Sequence, residues 1–341
     1  MVRKTLSDLH VAIKDGKIDV VKDLLEKKVD LHEKNRSFNP PLHAAIRKKN
    51  FEIVKILIEY GADVNGEGES GKPPLHIALG YRSKHTMDIV KLLLSKGAIY
   101  QEQNIFQVLD SQRLVKYFLE NGASINLIRD KSYMITVMDN CAYYKGCTPL
   151  HIVARGGKLN MVKLLLKNGA EINARNIEHM TPLQFLLLNG LYDDEKKEIA
   201  KYLIEQGADV NLVDEKMKSL LHFAVYRGYF DVAKCMVHNG ANVNAKDCNN
   251  VTPLHELFMY RFYIFGDINI FIEFLVQNGA HVNAQDKWGF APIHFAIRKG
   301  YIHELRQLLK LGADPCIKTF EIDGRKGRSA LQIAKNVMVI T

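Results

Sequence analysis

The sequence predicts an all-α solenoid of stacked helix–turn–helix units joined by β-hairpin loops. Two recurring motifs, and the constancy of the distance between them, carry that expectation. The first motif appears as Ser7-Asp-Leu-His10, Pro40-Pro-Leu-His43, Pro73-Pro-Leu-His76, Thr148-Pro-Leu-His151, Thr181-Pro-Leu-Gln184, Ser219-Leu-Leu-His222, Thr252-Pro-Leu-His255, Ala291-Pro-Ile-His294 and Ser329-Ala-Leu-Gln332. The second is Gly-Ala, beginning at Gly61, Gly97, Gly122, Gly169, Gly207, Gly240, Gly279 and Gly312. His43, His151, His222 and His294 each precede their Gly by 18 residues, and Gly61, Gly169, Gly207, Gly240 and Gly279 each precede the next motif's last residue by 15. A period of 33 residues follows, and periods of that size mark repeat architectures.

Each part of the repeat has a physical reason. Thr or Ser ahead of Pro starts a helix, because the hydroxyl accepts from free backbone N–H groups and Pro suits the first helical turn. A short helix follows, as in Leu150–Arg155, and Gly156-Gly157 closes it. The segment 160–167 is a second helix with apolar residues at i, i+3, i+4 spacing. Gly169 ends it, since a left-handed terminal residue suits Gly, and 171–176 turns toward the next copy. One such helix pair leaves its apolar stripe exposed. Each Leu, Ile or Val so exposed forfeits roughly 1.5–3 kcal/mol, so the copies must stack.

The motifs resemble the T-P-L-H-x-A signature of the ankyrin-repeat family, and the likeness covers nearly the whole chain. The resemblance implies one array over residues 1–341. Its repeats fall near 5–39, 40–72, 73–98, 99–147, 148–180, 181–218, 219–251, 252–290 and 291–328, with a partial cap at 329–341. The fourth copy is degenerate: its second helix (113–120) is clear, but Asn104 stands where His is expected. An insertion within 127–147 follows it, so the first four repeats and the remainder form two subarrays. Three copies lengthen the stretch between their helices, and one of them carries five aromatics in eight residues, from Phe258 to Phe265.

Seven His residues in the first motif invite a metal reading, yet one per repeat along a stack cannot converge on one ion. The resemblance gives them a structural role instead, holding the turn through hydrogen bonds. Basic residues recur just beyond them, at Arg47, Lys48, Arg155, Arg227, Arg298 and Lys299. Such positions close helices, where cations oppose the helix dipole, and they also form a positive stripe suited to a partner. Tyr81, Tyr226 and Tyr260 lie near the same edge, and Tyr and Arg are favoured interface anchors. The insertion residues Arg261, Phe262 and Tyr263, with Phe258, are expected to form a partly exposed patch, and Trp288 to sit at a hairpin tip. Asn65, Asn173, Asn211, Asn244 and Asn283 occupy the hairpin position that the resemblance links to asparagine hydroxylation, although a structural role accounts for them. The cluster Asp193-Asp194-Glu195 reads as a solvated loop.

Composition narrows the function. Hydrophobic residues are 47% and charged residues 25% of the chain, ordinary for a folded protein. The net charge of +9 favours acidic partners. Five Cys without a C-x-x-C pair fit a reduced, cytoplasmic chain. No secretory leader and no run of roughly 20 apolar residues is visible, so membrane insertion is not expected. Nucleotide-loop, nucleophile-elbow, zincin and kinase motifs are absent, so no catalysis, cofactor or metal is expected. The expectation is a monomeric protein-recognition module acting as adaptor, inhibitor or scaffold, with nucleic-acid or other polyanion binding along the basic stripe as the alternative. Abundant Lys, Asn and Ile match an AT-rich genome, which together with the resemblance suggests a host-directed protein of an intracellular bacterium or virus. The chain stops within a tenth half-copy, so no F-box-like segment is expected to follow.

Overall fold

The computed structural model describes residues 2–32, 34, 39–81, 83–129, 146–188, 193–259, 268–321 and 327–338. It divides into two compact units, Met1–Pro149 with Lys167–Ala170, and Leu150–Leu166 with Glu171–Thr341. The main division, between Pro149 and Leu150, lies just past the insertion.

In the first unit, α1 (Val2–Asp15), α3 (Pro41–Arg47) and α5 (Pro74–Gly80) stack as one row. Each is paired with α2 (Ile18–Glu26), α4 (Phe51–Glu59) or α6 (Thr86–Ser95) of a second row. Where the fourth copy should start there is a 3-10 turn, Glu102–Gln107, followed by α7 (Gln112–Glu120). The other unit repeats the pattern. Its first row is α8 (Pro149–Arg155), α10 (Pro182–Leu188), α12 (Leu220–Tyr226), α14 (Pro253–Met259), α16 (Pro292–Lys299) and α18 (Ala330–Met338). Its second row is α9 (Leu159–Lys167), α11 (Asp194–Glu205), α13 (Phe230–His238), α15 (Ile268–Gln277) and α17 (Ile302–Lys310). The connecting hairpins carry only isolated bridges among the described residues, Val213 with Ser219 and Lys318 with Ser329. Leu42, Ile46, Ile53, Leu57 and Leu93 are fully buried in one core, and Leu150, Phe185 and Phe258 in the other.

The seams between copies are polar. His43 Nε2 donates to Lys72 O (2.9 Å), His151 to Met180 O (2.9 Å), His222 to Val251 O (2.9 Å), His255 to Phe290 O (3.0 Å) and His294 to Ile317 O (3.1 Å). A carbonyl can only accept, so each ring carries its proton on Nε2 and presents Nδ1 as an acceptor. Nδ1 takes the N–H at its own helix start: Ser219 N to His222 (3.1 Å), Thr252 N to His255 (3.1 Å), Ala291 N to His294 (2.9 Å). Where Gln replaces His the local cap persists, since Gln184 Oε1 accepts from Thr181 N and Gln332 Oε1 from Ser329 N. At His43 the equivalent residue is Pro40, which has no N–H, and Nδ1 is left without a donor.

The degenerate copy keeps the same logic with other residues. Asn104 is buried and its Oδ1 accepts from Gln101 N (2.8 Å), the bond a motif His would make. His76 meets the Gln107 side chain (3.0 Å) in place of a carbonyl from the next hairpin. The insertion leaves from a short stem, with Arg129 N donating to Cys147 O and Gly146 N to Arg129 O. Its polar residues Asp130, Asp139 and Cys141 lie outside the described residues.

Two sequence expectations need correction. Asp193 is no loop residue: its carboxylate accepts from Lys196 N (2.8 Å) and caps α11, with Asp194 and Glu195 in the first turn. Negative charge there opposes the positive helix end. Phe258 belongs to the core rather than to an exposed patch, with no accessible surface. Tyr260, Arg261, Phe262 and Tyr263 lie outside the described residues.

The buried rings make the fold acid-sensitive. Desolvation by burial lowers His151 and His255 from 6.5 to about 4. A ring that resists protonation when folded but accepts it near 6.5 when unfolded stabilises fully above pH 6.5, and that contribution is lost as pH falls toward 4. Each ring accounts for roughly 3 kcal/mol across that window. Urea midpoints should therefore fall between pH 6.5 and 4. His255→Gln, which keeps the cap but cannot titrate, should flatten the slope; an unchanged slope would remove His255 from the account.

Candidate functional site

The first-row helices end in cations for a physical reason, because their last carbonyls are unpaired and negative. Arg47 closes α3 with Lys48 as its cap residue, Arg155 closes α8, Arg227 caps α12 after Tyr226, and Arg298 and Lys299 close α16. Tyr81 caps α5. Arg47, Lys48, Arg298 and Lys299 are exposed, whereas Tyr81, Arg155, Tyr226 and Arg227 are half-buried.

Three of these six cations lie over aromatic rings. Arg155 sits 5.7 Å from the Phe185 ring of the next copy, Arg298 5.3 Å from Phe290, and Arg227 5.6 Å from Tyr226. Arg47 instead pairs with Glu69 at 2.9 Å. Tyr81 is met by Lys49 at 5.6 Å, a residue that spacing alone did not single out. Lys49 has φ +58, in the place where Gly16, Gly157, Gly228 and Gly300 adopt the same left-handed backbone. Alignment of those glycines was the signal available for it. Three cations of the stripe, together with Lys49 beside it, are thus held over aromatic rings, each pairing worth about 0.5–1 kcal/mol at exposed sites.

Hairpin fingers supply the second part of the surface. In four successive fingers of the second unit, one side-chain oxygen holds two backbone N–H groups. Asn176 takes Glu178 and Met180, Asp214 takes Lys216 and Lys218, Asp247 takes Asn249 and Val251, and Asp286 takes Trp288 and Phe290, all at 2.8–3.0 Å. The fingers are stitched to one another by Cys248 N to Lys216 O (2.9 Å), Lys287 N to Asn249 O (2.8 Å) and Phe320 N to Trp288 O (3.0 Å). Behind them, Asn side chains clamp the next Gly-Ala turn at both amide ends. Asn244 Nδ2 donates to Gly279 O (2.8 Å) while its Oδ1 accepts from His281 N (2.8 Å), and Asn65, Asn173, Asn211 and Asn283 do the same. These Asn amides are seam bonds.

The turn residue of each finger is left-handed. It is Gly289 (φ +82) in one finger, but His179 (+57), Met217 (+61) and Asn250 (+59) in three successive others. A bulky residue in that region is strained. Met217 bears the strain while 52% exposed.

Between fingers and helix row lies a buried ion pair that the motifs did not disclose: Lys218 of one finger meets Glu256 on α14. Glu256 has no accessible surface, and burial raises its pKa while Lys218 pulls it back. Removing one partner of such a pair leaves a buried charge, the costly outcome. Among the described residues no three His, Cys, Asp or Glu side chains converge for a metal ion. No described helix is long and apolar enough to cross a membrane.

Comparison with known proteins agrees with this geometry. The chain matches the family profile of ankyrin repeats in overlapping stretches, residues 9–104, 107–214, 192–263 and 221–319. Over 238 residues it is 24% identical to transient receptor potential cation channel subfamily A member 1 of Drosophila melanogaster, covering 60% of this chain and 19% of that protein. It is 34% identical over 112 residues to the B-cell lymphoma 3 protein homolog of Mus musculus, covering 33% and 24%. An ankyrin repeat protein of variola virus is 25% identical over 203 residues, covering 52% of this chain and 36% of its own. The chain therefore spans well under two thirds of each of these relatives.

The strained tips yield a stability test. Met217→Gly should raise the second unit's stability by roughly 0.5–1 kcal/mol, because Gly adopts the turn freely. Gly289→Ala should lower it, since a Cβ there would come 2.2 Å from Phe320 N. Thermal melts followed by circular dichroism read both; equal midpoints would show that the tips carry no strain.

Proposed function

Because the chain belongs to the ankyrin-repeat family, we propose that it is a non-catalytic protein-recognition module, acting as a monomeric adaptor, inhibitor or scaffold. Ankyrin repeats are protein-interaction modules, and that general role supports the reading. The observation that carries it further is the repeated pairing of cations with aromatic rings at the ends of the first-row helices. A cation held over a ring has already lost much of its rotamer freedom, so less entropy is forfeited when a partner carboxylate binds it. The motif His rings are committed to seam bonds and the hairpin carboxylates to backbone N–H groups, which favours a binding role for them over a catalytic one.

A cytoplasmic, host-directed role is the finer part of the proposal. It is supported by the residue usage of an AT-rich genome and by the likeness to a variola virus protein.

The test is affinity capture from eukaryotic cell extract with nuclease treatment and graded salt. A defined protein should survive both. Arg47→Glu with Lys48→Glu in the first unit, and Arg298→Glu with Lys299→Glu in the second, should cut capture by about tenfold or more while melting temperature holds. Undiminished capture in both pairs would reject the stripe. Capture abolished by nuclease, or falling steeply with salt, would transfer the stripe to a polyanion.

A further inference from the structure

We propose that Trp288 and Phe320, on adjacent finger tips of the second unit, form an anchor for an acidic segment of a partner protein that carries an apolar side chain. The proposal rests on the recognition-module reading and assigns it a place and a partner chemistry.

Four observations point there. Both residues are large, apolar and exposed, Trp288 at 39% and Phe320 at 50%. Their backbones are fixed relative to each other by Phe320 N donating to Trp288 O at 3.0 Å. Gln285 Nε2 braces the pair from beneath by donating to Gly289 O and Lys318 O, both at 2.8 Å. Gly289 lets the two fingers close up: a Cβ there would lie 2.8 Å from Phe320 Cγ. The backbones that carry the two rings are therefore set before any partner arrives, and aromatic side chains with only two torsions to fix lose little entropy on binding.

Charge around the pair selects the partner. Lys287 sits 4.3 Å from the Trp288 ring and is held there by Asn249 Oδ1. Lys318 lies two residues before Phe320 and is exposed as Phe320 is. Arg298 reaches back over Phe290 at the foot of the finger. Among the described residues the carboxylates beside the pair include Glu321, which is exposed, and Asp286, which is 1% exposed and turned inward to hold Trp288 N and Phe290 N. The lysines thus face outward while one of these two carboxylates is turned in. Lys287 also covers one face of the indole, which disfavours base stacking and makes a peptide carboxylate the better fit.

The test selects a random dodecapeptide library displayed on phage against the full chain. Retained peptides should be enriched in Asp and Glu around an aromatic residue or Leu. Trp288 is the sole tryptophan, so its emission should shift to the blue as such a peptide saturates. Phe320→Ser, and separately Lys287→Glu with Lys318→Glu, should each weaken binding by about tenfold or more at unchanged melting temperature. Peptides without acidic bias, or binding indifferent to both variants, would overturn the anchor. So would an oligothymidine 12-mer producing the same shift with no peptide able to displace it. An empty selection alongside successful capture would reject the anchor and leave the recognition module standing; failure of both would reject both.

Discussion

Everything in this fold depends on the fact that one helix pair cannot satisfy itself. Its apolar stripe needs a neighbour, and so do the carbonyls of the hairpin and of the Gly-Ala turn. Stacking buries the stripe, which is generic and could be met in many registers. The His and Asn bonds make the register specific. His Nε2 reaches the carbonyl beyond one hairpin, and Asn holds a Gly carbonyl together with the N–H two residues later. A slipped register would leave those groups buried and unpaired, at about 1–3 kcal/mol each.

The same constraint explains how the degenerate copy survives. Asn104 reproduces the cap and Gln107 Nε2 supplies a partner for His76 although the helix shortens to a 3-10 turn, while the buried Gln107 Oε1 is left without a donor. The compact units divide between Pro149 and Leu150, just past the insertion that follows this copy.

Much of the fold was legible because the motifs encode these bonds. Thr-Pro-Leu-His states a cap, a helix start, a core residue and a rung, and its spacing from Gly-Ala fixes the second helix. Even Asn104 was identified as the missing His. The surface was less legible. The stripe of cations could be read from helix ends, but two of their three aromatic partners come from other segments: Phe185 lies a whole copy beyond Arg155, and Phe290 precedes the helix that Arg298 closes. Phe320 escaped notice because nothing near it in sequence marks a tip; it is brought beside Trp288 by a backbone bond across more than thirty residues. Glu256 and Lys218 escaped for a similar reason, since each looks like an ordinary solvated charge. Asp193 misled because an acidic run can equally be a loop or a helix start, and only the bond to Lys196 N distinguishes them.

The seams also bear on how the chain folds. The rungs from His43, His151 and His222 each join residues 29 apart, and the one from His255 joins residues 35 apart because its copy is longer. Loop closure costs grow only with the logarithm of length, so a few extra residues change that cost little. No rung demands that distant parts of the chain find each other first. Contact order stays low however many copies are strung together, and structure can nucleate at whichever seam closes first and spread outward from it. A chain of this size would ordinarily face a slow search for long-range partners; here the search is cut into pieces the length of a single repeat.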